Sequence, residues 1–71
     1  MTERNSYQWS IDEARQLTHC SISVMPRKDG AFLVFIETPE GKPLFKAECH
    51  DEHLVQFVIQ AVGVAYYEMM Q

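Results

Sequence analysis

Cations are scarce in this chain: six lysines and arginines stand against ten aspartates and glutamates in 71 residues, a net charge of −4. That balance disfavours nonspecific attachment to nucleic acid or to an anionic membrane. The negative charge is also too small and too scattered for a DNA mimic. Only two cysteines are present, Cys20 and Cys49, and residues 1–10 are polar without the apolar segment of a signal peptide. Both features point to a reducing cytoplasm. The sequence has no glycine-rich phosphate loop, Walker lysine, paired-cysteine motif or zinc-protease helix. It has no internal repeat or low-complexity tract either, and no cofactor is expected.

What is there is an ordinary globular composition, 46% hydrophobic and 23% charged. Seventy-one residues make one domain, expected over 1–71 with 1–8 as a flexible polar arm. A chain of this size buries only about 60–65% of its unfolded surface, so association would help it.

The last third is the most apolar part. On a helical wheel of residues 51–70, Leu54, Val58, Ala61, Val62, Ala65 and Met69 form the expected core stripe. Val55, Ile59, Tyr66 and Met70 form a second stripe beside it, and Phe57 and Val64 widen the first. Only Glu52, Gln56, Gln60, Gly63 and Tyr67 line up as a polar strip. The apolar arc is roughly 240° wide, against about 100° for a helix on one core. The surplus must be buried by the first helix, a second copy or another protein. Gly63 costs about 0.8–1 kcal/mol in a helix interior, which suits a close approach of helices in an antiparallel dimer or is simply tolerated. The expected dimer surface is therefore Val55, Ile59, Gly63, Tyr66 and Met70. Gln56, Gln60 and Glu68 interrupt the stretch too often for a membrane span.

Upstream, Ser10-Ile11-Asp12-Glu13 matches a capping box, with Trp9 and Ala14 placed for a weak hydrophobic staple. The first helix is expected from Ile11 to about Thr18, with Ile11, Ala14 and Leu17 inward. From Cys20 the period changes to two, predicting a strand over 20–25. Residues 26–30 carry turn chemistry with Gly30 at positive φ. A strand apolar on both faces follows over 31–37, then a turn at 38–42 using Pro39 and Gly41. A third strand is expected over 43–49, and Asp51 is placed to cap the long helix. The predicted fold is α+β: short helix, three-stranded antiparallel meander, long C-terminal helix, with both helices on one sheet face. The outer face then centres on Phe32, Val34 and Ile36 or on Leu33 and Phe35, with Lys46 and Arg27 able to cover it.

The residues most suggestive of chemistry are His19-Cys20 and Cys49-His50 with His53, since both types ligate zinc. In a meander, Cys20 and Cys49 fall at opposite ends of the sheet, roughly 20 Å apart, which opposes a shared site and a disulfide. Cys49 with His53 could bind metal only weakly, or across an oligomer. As a nucleophile and base the pair lacks an orienting third group and a cleft, so no enzyme activity is expected. The element order resembles the double-stranded RNA-binding domain in topology. That family grips phosphates with lysines at the start of its second helix, where this chain has His50-Asp51-Glu52-His53; only Arg27 and Lys28 in the first hairpin turn echo it. RNA binding is kept as the alternative, beside a small zinc-binding protein.

The expectation is a non-enzymatic protein-interaction module, a homodimeric adaptor, a regulator, or a phage- or plasmid-encoded inhibitor of a host protein complex. Its partners are itself and another protein, engaged through Leu33 and Phe35 with Arg27, Lys28, Lys42 and Lys46 at the rim.

Overall fold

A computed structural model describes residues 7–71 and orders them as α1 (Gln8–Thr18), β1 (Ser21–Pro26), β2 (Phe32–Glu37), β3 (Pro43–Cys49) and α2 (Glu52–Met69). This is the expected α-β-β-β-α arrangement. The strands form one antiparallel sheet in the order β1-β2-β3. Strict alternation sorts their side chains: Ile22, Val34, Ile36 and Cys49 turn inward and are buried, whereas Ser23, Met25, Leu33, Phe35, Lys46 and Glu48 take the other face. Both hairpin turns use glycine at φ 89°, Gly30 and Gly41, where a side chain would be strained. A register shift at Ile36/Glu37 inserts Leu44, which packs against the core.

Both helices cover the inner face. Tyr7, Ile11 and Ala14 before and within α1 join Val55 and Ile59 of α2 on the inward side chains of the sheet. The Tyr7 ring meets Phe32 edge-on at 5.8 Å between centroids, which places the start of α1 at the end of the sheet where Phe32 pairs with Cys49. α2 leaves β3 at that same end, while α1 finishes beside Cys20 at the other. The helices therefore run side by side in the same direction.

Several expectations for the N-terminal part change. Of the proposed arm, residues 1–6 lie outside the described residues, but Tyr7 is buried and Gln8 opens α1. The helix starts earlier because the Tyr7–Phe32 contact anchors its first turn. Ser10 is consequently inside the helix and does not cap it: it is 1% exposed, and its hydroxyl accepts from Gln60 Nε2 at 3.3 Å. Trp9 stands in solvent at 58% exposure and staples nothing. Leu17 is also exposed, and Thr18 is buried in its place, donating to Ala14 O at 2.6 Å and accepting from Cys20 N. His19 then ends α1 in the left-handed conformation at φ 61°.

Candidate functional site

The C-terminal helix begins as its sequence dictates: the Asp51 carboxylate accepts from His53 N at 2.8 Å, and Glu52 lies in the first turn. Which side then faces inward differs from the wheel reading. Val55 and Ile59 are fully buried, Gly63 is buried, and Tyr66 is half-buried against the core. The stripe expected to meet a second chain is the intramolecular core, and of that set only Met70, 61% exposed, remains accessible. Of the stripe expected inward, Val58 and Val62 are half-buried, while Leu54, Ala61, Ala65 and Met69 are exposed.

Gly63 explains the rotation. A Cβ there would lie 3.3 Å from Ala14 Cβ, so the glycine lets α1 pack closely on α2. The close helix approach read from Gly63 exists, but within one chain. Beside the two small residues an open groove of about 140 Å³ runs between the helices, lined by Ala14, Gly63, Leu17 and Val64 together with the polar Ser10 and Gln60 and the exposed Glu13 carboxylate.

Opposite the core, Leu54, Phe57, Ala61, Val64, Ala65 and Glu68 share an arc of roughly 100° at helical spacing. All six are exposed, Phe57 to 66%, and Glu68 is the only charge among them. With Leu17 across the groove they present on the order of 500 Å² of apolar side chain, toward the top of the 300–600 Å² seen on monomers. No lysine or arginine occurs in α2.

The outer sheet face is more polar than its strand β2 suggested. Leu33 and Phe35 are its apolar centre and are half-buried. Lys46 lies across the Phe35 ring, Nζ 5.4 Å from the centroid, and Arg27 pairs with Glu48, which stands opposite Leu33. Lys28 sits in the first turn beside Arg27, whereas Lys42 is in the second turn at the far end of the sheet. The four cations are not brought together. A shallow depression of about 250 Å³ lies between Ser21, Ser23, Met25, Phe35 and Glu37.

Cys20 and Cys49 are free and buried at opposite ends of the sheet. Burial pushes the Cys49 thiol above its ordinary value, the reverse of what a thiolate nucleophile needs. His50 and His53 are exposed, and among the described residues no three His, Cys, Asp or Glu side chains gather to hold a metal ion. No buried side-chain polar atom among them lacks a partner. No described helix is long and apolar enough to cross a membrane. The site with the strongest physical claim is thus the outward face of α2 with the adjoining groove. No family model, curated protein or solved structure matches the chain.

Proposed function

We propose that this protein is a non-enzymatic protein-interaction module, an adaptor or regulator of the reducing cytoplasm, which self-associates through the outward face of α2. The observation that carries the reading is the solvent-facing arc from Leu54 to Glu68, five apolar residues and one charge where a helix on a single core exposes mostly polar ones. The sheet supports a division of labour. Its outer face is already tempered by Lys46 over Phe35 and by the Arg27–Glu48 pair, so it remains presentable to another protein once the helices are covered. Two buried free thiols suit a reducing compartment.

The test is Phe57→Glu, which puts a charge at the most exposed large residue of the arc without touching the core. Loss of self-association with an unchanged circular dichroism spectrum is expected. Self-association that survives this substitution undiminished refutes the proposed surface.

A further inference from the structure

We infer that the free edge of β1 takes up an extended segment of a partner protein, acidic at its ends, as an added antiparallel strand. The site goes beyond self-association through α2 and does not depend on it. β1 is an outer strand of the sheet. In its hairpin Arg27 N donates to Ala31 O at 2.8 Å, which makes these two a hydrogen-bonded pair. Such pairs alternate along an antiparallel ladder, so Ser21, Ser23 and Met25 bond to β2. The N–H and C=O groups of Ile22 and Val24 and the C=O of Pro26 therefore point away from the sheet. Two side chains agree with that phase. Pro26, which has no N–H, stands at an outward position, where an edge strand tolerates it. Arg15 Nη2 donates to Ile22 O from outside the ladder, at 3.3 Å.

The opposite edge is guarded and this one is not. β3 opens on Pro43, carries the register shift and exposes Lys46 and Glu48, features that keep edge strands from pairing. Residues 21–25 hold no ionisable side chain and no irregularity, and Arg15 covers one carbonyl only. An added antiparallel strand exchanges backbone bonds with Ile22 and Val24. Side chains directly opposite share a face, so its residues facing Ile22 and Val24 are apolar. Those between them meet Ser21, Ser23 and Met25 beside the shallow outer depression. Charge sets the chemistry of the ends. Arg15 stands at the Ile22 end and Lys28 in the turn beyond Pro26, and neither meets a carboxylate among the described residues. Glu37, opposite Ser21, lies one strand in from the edge. An incoming carboxylate draws the Arg15 guanidinium off Ile22 O, because a charge-assisted bond is stronger than one to a neutral carbonyl. A second copy of β1 brings no carboxylate and sets Arg15 near Arg15, so the occupant belongs to another protein. Repulsion from the net charge of −4 is screened beyond about 10 Å at moderate salt.

The test titrates the peptide Asp-Thr-Val-Thr-Val-Thr-Asp into the isotope-labelled full chain and follows amide chemical shifts. The Ile22 and Val24 amides should move and saturate, while those of Lys46 and Glu48 on the β3 edge stay still. The same peptide N-methylated at its valines lacks the N–H groups for those pairs and should not bind. A version with lysine in place of both aspartates should bind at least about tenfold more weakly, and Arg15→Gln should narrow that gap to less than about threefold. No shift at millimolar peptide, shifts confined to β3 or α2, or binding that survives N-methylation overturns the added strand. Equal affinity for the aspartate and lysine peptides overturns the acidic occupant. None of these results bears on self-association, which light scattering reads separately.

Discussion

Replacing Gly63 tests whether α1 truly closes on α2. Alanine adds a Cβ 3.3 Å from Ala14 Cβ, so the helices must part by a few tenths of an ångström. The intrinsic helical gain of about 1 kcal/mol opposes that cost, and Gly63→Ala should fall within about 1 kcal/mol of the wild type. Leucine has no such balance. Its Cβ already meets Ala14 Cβ at 3.3 Å and carries further carbons beside it, and overpacking of this kind costs about 1–3 kcal/mol. A chain of this length is stable by only about 4–10 kcal/mol, so the loss is easily read. With a urea dependence near 1 kcal/mol per molar, the midpoint of Gly63→Leu should drop by about 1–3 M. Ala14→Gly in the same molecule should restore part of it, because the two positions share one contact. Protein concentration must be held constant, since association adds stability by mass action. A Gly63→Leu protein as stable as the wild type, with no coupling to Ala14, would refute the close packing of these helices.

Ile59→Ala removes a fully buried side chain and should cost about 2–5 kcal/mol, read by denaturant unfolding; a loss below about 0.5 kcal/mol would return Ile59 to the surface. Arg27→Ala, by contrast, breaks a pair whose partners are 45% and 40% exposed, and should shift stability by no more than about 1 kcal/mol in low salt and less in high salt. The Cys49 thiol is held above its ordinary value by burial, so the folded state keeps a proton that the unfolded chain releases. Its contribution is full below the unfolded value and is lost as pH rises through the folded one. Stability should therefore fall as pH rises above the ordinary thiol value of about 8.5 more steeply in the wild type than in Cys49→Ala, and parallel curves would contradict the buried thiol.

The order of elements was legible because the local signals agree with one another. The alternation in β1, the continuous apolar run of β2, the Gly30 and Gly41 turns and the Asp51 cap each point to a boundary that the fold uses. Two features were not legible, for related reasons. The Ser10-Glu13 spacing is a valid cap pattern, but the start of α1 is set by a long-range contact, Tyr7 on Phe32, that no local window contains. The core side of α2 could not be fixed by periodicity, since an apolar arc of roughly 240° holds several equivalent stripes. Gly63 does mark a close helix approach, but within the chain and not in the antiparallel dimer expected of it; pairing it with Ala14, a small residue on the inward side of the first helix, was the signal that would have turned α2 to its observed face. The candidate interface followed that rotation, from Val55 and Ile59 to Phe57 and Val64.

The most direct test of the central claim is the native mass by light scattering across a dilution series, wild type beside Phe57→Glu. The wild type should hold twice its 8.3 kDa chain mass into the low micromolar range or below, about −8 kcal/mol of association, while the variant falls to the single chain. A wild type that reads 8.3 kDa at every concentration would contradict the account.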